Sequence, residues 1–237
     1  MWVYAIIAAM STANGPSPAG LARRGRPRKG ASQLSRQAIL QAALEAIDEG
    51  GAASVTIRSV ARQLGVDAKS LYNHVDGIDG LLDAVAEHIL GRITVAELTG
   101  DTREDLRAIA FAFRTATLSH PQAATLVLTR QLPSHTALTP IESVLAVLCE
   151  AGFAPGEAVH LMRTYVAALT GTILREVNAA PAFGVTDAAA IAHRRAVLEQ
   201  SGLPHVAEAA AHLARFDAEA EFEFTVNLAV ENILSRR

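Results

Sequence analysis

The stretch 56–74, TIRSVARQLGVDAKSLYNH, constrains the fold more than any other part of the chain. It is typical of two short helices joined by a tight turn at Gly65-Val66, the layout of a helix-turn-helix. Thr56 and Asp67 are predicted to cap the first and second helix. The apolar residues predicted to face inward are Val60, Ala61, Leu64, Leu71 and Val75. The pattern predicts a DNA reader; an ordinary helical hairpin with a polar face is the alternative.

The outer side of the second helix is mostly polar. Short polar side chains suit contacts with base edges, whereas Lys69, Tyr72 and His74 suit hydrogen bonds to phosphate. The residues predicted to point outward or along the walls of a DNA groove are Ala68, Lys69, Ser70, Tyr72, Asn73 and His74.

The net charge of −3 conceals an asymmetry along the 237 residues. Residues 1–75 carry nine Lys and Arg against four Asp and Glu, a net charge of +5. Residues 76–237 carry twelve against twenty, a net charge of −8. A basic N-terminal part followed by an acidic remainder is typical of a chain that binds a polyanion through its N-terminal part only. The alternative is that the asymmetry is a fluctuation of surface charge without function.

Residues 23–30, RRGRPRKG, form a compact basic run ahead of this motif. An extended Arg-Gly-Arg-Pro can lie in the narrow minor groove of A/T-rich DNA, so Arg26 and Arg28 are candidate DNA contacts. The run resembles an AT-hook; a solvated basic tail that attracts any DNA is the other interpretation. We predict that residues 1–32 are a disordered tail carrying this arm. Its apolar start lacks a basic n-region and is too short to span a bilayer, so we expect no membrane association.

The rest of the chain follows helical periodicity, and no stretch longer than a few residues alternates with period two. We therefore predict an all-α fold. Asp76 is expected to cap a long helix over 77–98, and Ser35 the first helix over 35–48. A loop is predicted at 179–187. The other predicted helices span about 102–119, 121–131, 139–150, 155–178, 187–200, 204–215 and 217–234.

Cys149 is the only cysteine, so the chain can form no internal disulfide. It falls in an apolar helical pattern, which predicts a small core residue. A redox-sensing thiol is the alternative, and it would require exposure and a lowered pKa.

Several runs together carry a family resemblance. Residues 58–66 (RSVARQLGV), 71–75 (LYNHV) and 81–82 (LL) resemble the DNA-binding domain of the TetR, or tetracycline-repressor, family of bacterial regulators. Residues 150–153, 169–174 and 222–224 are similar to the tetracycline repressor's own subgroup. The resemblance covers about residues 33–234. It implies a three-helix helix-turn-helix DNA-binding domain at 33–79 and a larger helical ligand-binding and dimerisation domain at 80–237.

The resemblance also implies roles for particular residues. Arg58 matches a base-reading position in the first helix of the motif. Ala68, Lys69 and Ser70 match base-facing positions, and Thr56, Tyr72 and His74 match phosphate-binding ones. Ile78 stands where the family usually has a lysine, so one phosphate contact is missing. We expect the basic run at 23–30 to offset that loss.

The ligand site implied by the resemblance is more apolar here than in the tetracycline repressor. Thr94, Ala167 and Arg175 stand at the positions that organise drug and magnesium there, and Val144 replaces a polar glutamine position. We therefore expect a hydrophobic or aromatic effector, no metal and no cofactor. Arg114 is a candidate partner for an acidic group on the effector. The candidate lining residues, for each of which core packing is the alternative, are Phe111, Arg114, Val144, Leu148, Met162 and Tyr165.

The implied function is that of a cytoplasmic homodimer that binds double-stranded, palindromic operator DNA and is released by a small-molecule effector. The dimer surface is expected on the helices near 155–178 and 217–234, because Ala167, Ala168 and Gly171 permit close approach. Those helices could instead complete a monomer core. An enzyme is disfavoured, since no catalytic constellation or phosphate-binding loop occurs in the sequence. A ligand-blind architectural protein would show weak sequence selectivity.

Overall fold

The computed structural model describes residues 34–236 except 96, 131, 133 and 179–186. The predicted tail 1–32 with its basic arm, and almost all of the predicted loop 179–187, lie outside these ranges. Within them the chain is helical and forms no strand, which confirms the all-α prediction. Short 3-10 turns occupy Ala52–Ser54 and Pro121–Ala123. The α-helices are α1 Arg36–Gly50, α2 Ile57–Gln63, α3 Ala68–Leu71, α4 Gly77–Leu90, α5 Thr102–Leu118, α6 Ala124–Thr129, α7 His135–Glu150, α8 Pro155–Asn178, α9 Ala188–Glu199, α10 Pro204–Glu208, α11 Ala210–Leu213 and α12 Ala218–Leu234.

The N-terminal helices α1–α4 pack around one buried cluster, the N-terminal cluster. Ser35 begins α1 as predicted, because its hydroxyl accepts a hydrogen bond from the backbone N–H of Ala38 at 3.1 Å. Gly51, with a φ of +77°, ends the helix in a conformation that disfavours other residues. Residues of α6 complete this cluster from the other part of the chain. Its fully buried members include Ile39, Ile47, Val60, Leu71, Leu81 and Val85.

Helix α4 is shorter than predicted. It ends at Leu90 rather than Leu98, because Gly91 is a poor helix former and β-branched residues follow at 93–95. Asp76 occupies the N-cap position, but its side chain makes no capping hydrogen bond, so that part of the prediction was also wrong.

The second buried cluster, the C-terminal cluster, lies among α5, α7, α8 and α12. Helix α8 spans Pro155–Asn178 as predicted. Helix α7 begins one turn earlier than predicted, because Ser134 caps it by accepting from the N–H of Ala137 at 3.3 Å. Pro140 therefore lies inside the helix.

Cys149 is exposed, which corrects the prediction of a core residue. The buried residues of α7 are Val144, Val147 and Leu148. Successive residues of a helix are rotated by about 100°, so the residue after Leu148 turns away from this buried face.

Helices α9, α10 and α11 pack mainly against each other. Helix α12 follows and lies along α8. It buries Phe222, Val226 and Ile233 and leaves Phe224 and Leu228 more than 60% exposed.

Candidate nucleic-acid interface and ligand cavity

The first helix of the helix-turn-helix begins with a reciprocal cap. The Thr56 hydroxyl accepts from the N–H of Ser59 at 3.0 Å, and the Ser59 hydroxyl accepts from the N–H of Thr56 at 2.9 Å. This capping box confirms the predicted start of α2 and fixes the backbone that presents Arg58. The Thr56 hydroxyl also donates to Ser59 at 3.2 Å, so a phosphate contact would replace that bond.

The turn between α2 and α3 is built on a glycine. Gly65 has a φ of +67°, a conformation that side chains other than glycine rarely adopt. The N–H of Gly65 donates to the carbonyl of Arg62 at 3.1 Å, and that of Val66 to the carbonyl of Ala61 at 3.0 Å. This pair of bonds is a Schellman motif, which ends α2 and sets the angle of the next helix.

Helix α3 is held by its two ends. Asp67 caps it as predicted, accepting from the N–H of Lys69 at 2.7 Å. Leu71 is fully buried and Val75 nearly so, as predicted, so both anchor the segment on the N-terminal cluster. The outer side is consequently fixed relative to the rest of the N-terminal helices, as a base-reading element requires.

Most of the residues predicted to contact DNA are available on one segment. Lys69, Asn73 and His74 are exposed, and Tyr72 is 59% exposed although it is a large aromatic residue. Arg58 is also exposed, on α2.

The two smaller predicted contacts are less accessible. Ala68 is half-buried and packs against the N-terminal cluster, so it points outward only in part. Ser70 is half-buried as well. Ile78 packs against the same cluster. Arg26 and Arg28 lie outside the described residues.

A cleft of about 640 Å³, including its open mouth, lies between the two buried clusters. The end of α4 contributes Leu90 and Ile93, and α6 contributes Val127 and Leu128. Only about 60 Å³ of this space admits the centre of a water-sized sphere, so the cleft is narrow and a small molecule would have to widen it.

The remaining walls come from the larger helices. Ile109 and Phe113 of α5 line the cleft at a spacing of four residues. Helix α7 presents Ala137, Pro140, Ile141 and Val144, and α8 presents Tyr165, Val166, Leu169 and Thr170. No charged side chain of the described residues lines the cleft.

Two of the predicted ligand residues line this cleft, namely Val144 and Tyr165. Leu148 and Met162 are buried in the C-terminal cluster instead. Phe111 packs edge-on against Phe222, with ring centroids 5.3 Å apart. The sequence missed Ile109, Phe113 and Leu169. Leu169 follows Tyr165 by four residues, a spacing that could have identified it. Ile109 and Phe113 lie on the opposite face of α5 from the predicted Phe111 and Arg114, so no spacing signal pointed to them.

Arg114 is engaged within the chain rather than in the cleft. Its Nε and Nη2 atoms donate to the two carboxylate oxygens of Glu176 at 2.9 and 2.7 Å. The hydrogen bond to Glu176 raises the pKa of the Arg114 guanidinium. Its guanidinium also lies 5.2 Å from the centroid of the Phe222 ring. An acidic group on an effector would therefore have to displace Glu176 to reach Arg114.

Helix α6 connects the cleft with the N-terminal helices. Val127 lines the cleft and belongs to the N-terminal cluster, whereas Leu128 lines the cleft and belongs to the C-terminal one. Directly after α6, Arg130 forms ion pairs with Asp83 and, at 3.0 Å, with Asp79 near the start of α4. A movement of the cleft walls would therefore reach α4 by two routes. One is direct, at the C-terminal end of α4 that lines the cleft, and the other is through the ion pairs of Arg130.

Within the described ranges, no three His, Cys, Asp or Glu side chains are placed to hold a metal ion. Over the same ranges, every helix is too short or too polar to cross a membrane.

Comparison with known proteins finds matches to both parts of the chain. Residues 39–85 match the family described as bacterial regulatory proteins, tetR family. Residues 96–236 match the tetracyclin repressor-like C-terminal domain.

Individual relatives cover half of the chain or more. The class A tetracycline repressor from transposon 1721 of Escherichia coli is 30% identical over 212 residues, which are 87% of this chain and 93% of that protein. A transcriptional regulator of the helix-turn-helix type from Saccharopolyspora erythraea is 36% identical, over about half of each chain.

Solved structures agree with the observed fold. A possible TetR-family transcriptional regulator from Streptomyces coelicolor A3(2) is 29% identical and superposes with a TM-score of 0.75, covering 86% of this chain and all of that one. A TetR variant from Acinetobacter baumannii AYE in complex with minocycline is 26% identical with a TM-score of 0.65, covering 86% and 99%.

Proposed function

Because the chain belongs to the TetR family of bacterial transcriptional regulators, which bind DNA and are not enzymes, we propose that it is a ligand-responsive repressor. In this proposal a cytoplasmic homodimer binds a palindromic operator and is released when a small apolar or aromatic molecule enters the cleft. The observation that carries the proposal is the position of α6, which shares its residues between the cleft and the N-terminal cluster.

The DNA contacts are proposed to come from α2 and from the segment 67–74. Lys69, Tyr72 and His74 are exposed and would bond phosphates, while Arg58, Ser70 and Asn73 would meet base edges. Tyr72 supports this assignment most clearly. Its exposed aromatic ring contributes little to the core, so a role in binding DNA would explain it better than a role in packing.

The dimer is proposed to form through α8 and α12. Phe224 and Leu228 stand four residues apart on α12 and are 67% and 62% exposed. Thr225 meets Thr172 of α8 at 3.2 Å, next to Gly171. A Cβ atom at Gly171 would have open space around it, so packing within one chain does not require a glycine there. A second copy of these helices would use that space and cover the apolar pair.

The effector is proposed to bind in the cleft and to act through its differential affinity for two conformations. Molecules that filled the space between Val127, Leu128 and Ile93 would press on α6 and on the end of α4. Arg130 would pass a shift of α6 to the start of α4. A coupling of about 1–3 kcal/mol, typical of such proteins, weakens DNA binding about 5–150-fold.

The test is reciprocal. Uncharged aromatic compounds are screened for those that raise the melting temperature, and each of them is then titrated against the protein with and without operator DNA from in vitro selection. The compound should weaken operator binding, and operator should weaken compound binding by the same factor. Equal affinity with and without operator would show that the protein is not ligand-responsive.

Filling the cleft should produce a repressor that no longer responds to compounds. Val144→Phe adds a ring at a cleft-lining position of α7 and should lower compound affinity at least tenfold while operator affinity is retained. Isothermal titration calorimetry measures the affinity for the compounds and the affinity for the operator. Cys149→Phe adds the same ring on the exposed side of α7 and should change neither. If Val144→Phe binds the compounds normally, the effector site lies elsewhere.

The basic run at 23–30 is proposed to strengthen DNA binding. Deleting residues 1–30 should weaken operator binding at least tenfold at low salt, because phosphate contacts dominate affinity there. Fluorescence anisotropy over a salt series measures this. Unchanged affinity would show that residues 23–30 do not contribute to operator binding.

A pair of double variants distinguishes the two interpretations of the arm. Arg26→Ala with Arg28→Ala removes the same charge as Arg23→Ala with Lys29→Ala, two positions outside the Arg-Gly-Arg-Pro. An AT-hook-like arm should lose more affinity with the first pair, and most of all on operators with A/T-rich flanks. A solvated basic tail should lose the same with either pair.

A further inference from the structure

The polar groups that face the cleft set the chemistry of its ligand. All but two of the cleft-lining side chains are hydrocarbon, the exceptions being Tyr165 and Thr170. A ligand that brought a charge into such a site would lose its hydration without gaining a partner from the described residues. The described walls therefore select for uncharged molecules.

Tyr165 does not offer its hydroxyl to a ligand. It is 1% exposed, and its hydroxyl donates to the backbone carbonyl of Leu106 at 2.5 Å. Burial also raises the pKa of this phenol, so it stays neutral at physiological pH. The ring of Tyr165 is thus an apolar wall, and its hydroxyl fastens α8 to α5.

Thr170 differs from the other threonines of α8. The hydroxyls of Thr164 and Thr172 each donate to the carbonyl four residues earlier, at 3.0 Å, which is the usual arrangement inside a helix. The Thr170 hydroxyl makes no hydrogen bond to any described residue, and the residue is half-buried at the cleft wall. One hydroxyl, which can both donate and accept a hydrogen bond, is therefore available in an otherwise hydrocarbon site.

We propose that Thr170 is the specificity-determining residue of the cleft, and that the effector is an uncharged, mainly apolar molecule with one hydroxyl or carbonyl group that bonds the Thr170 hydroxyl. The inference rests on the proposed function in placing the effector in this cleft. It goes further by naming the hydrogen bond that distinguishes one apolar ligand from another. A site with a single polar group discriminates against analogues that lack the matching one, because that group then stays unpaired.

Two probes of similar shape test this proposal, 2-naphthol and 2-methylnaphthalene, which differ in a hydroxyl for a methyl group. Their affinities are measured without DNA by displacement of the uncharged fluorophore N-phenyl-1-naphthylamine. Thr170→Val keeps the shape of the side chain and removes the hydroxyl. It should weaken 2-naphthol about fivefold to tenfold and leave 2-methylnaphthalene unchanged or slightly tighter.

Thr164→Val is the matched control, because Thr164 is exposed on the same helix, and it should leave both affinities unchanged. Thermal melts confirm that both variants are folded. Equal weakening of the two probes by Thr170→Val would mean that Thr170 only packs against ligands, and no change in either would mean that it does not meet them. Either result overturns the proposed role of Thr170, but neither contradicts the proposal that the effector binds in the cleft. If neither probe displaces the fluorophore from the unmodified protein, the proposed effector site itself is contradicted.

Discussion

Replacing Lys69 and Tyr72 together with alanine is expected to weaken operator binding roughly 1,000-fold. Each side chain is exposed and is proposed to bond a phosphate, and a dimer carries two copies of each. Four lost contacts at about 1 kcal/mol each amount to about 4 kcal/mol. Loss of Lys69 should also flatten the dependence of log affinity on log salt concentration by about two units per dimer. Anisotropy titrations at several salt concentrations measure both effects.

The double variant should remain as stable as the unmodified protein. Lys69 and Tyr72 stand outside the buried cluster, whereas Leu71 between them anchors the segment and is left in place. Arg215→Ala removes a positive charge from an exposed position far along the sequence and should leave operator binding unchanged. If the double variant binds the operator as tightly as Arg215→Ala does, segment 67–74 is not the DNA-reading surface.

Changing Phe224 and Leu228 together to glutamate is expected to convert the proposed dimer into a folded monomer. Both side chains are more than 60% exposed in the single chain, so the substitution leaves the core of α12 undisturbed. In a dimer they would be buried, and four unpaired carboxylates would then have to leave water. Sedimentation velocity should show the mass of one chain, 25.0 kDa.

The monomer should also bind operator at least ~100-fold more weakly, because it reads one half-site. Leu98→Glu is the control, since Leu98 is 38% exposed and lies outside α8 and α12. It should stay dimeric and bind operator normally. A double variant that remains a dimer would place the interface on other helices.

The helix-turn-helix could be predicted in detail because its signals are local. Thr56, Asp67 and Gly65 act on backbone groups within a few residues, and each does in the structure what the sequence predicted. Local signals also explain the errors at helix ends. Ser134 began α7 ahead of Pro140, and Gly91 ended α4 before the apolar pattern ran out.

The cleft was harder to predict because it depends on which faces of five helices meet. Val144 and Leu148 were both candidate lining residues, but only packing decides that the first lines the cleft and the second does not. Arg114 shows the same limit for charges. Its partner, Glu176, lies 62 residues away, and no local pattern joins the two. The available hydroxyl of Thr170 likewise depends on packing that spacing does not reveal.

Sequence-specific DNA binding by segment 67–74 is tested most directly by in vitro selection of operator DNA from a random duplex pool with the full chain. The enriched pool is then sequenced. We predict a two-fold symmetric sequence, bound by a dimer, whose half-sites lie about one helical turn, ~34–36 Å, or a multiple of it apart. The selection should fail with the Lys69 and Tyr72 double variant. A pool without an enriched sequence, or one enriched only for A/T content, would contradict sequence reading by segment 67–74 and would favour a ligand-blind architectural protein.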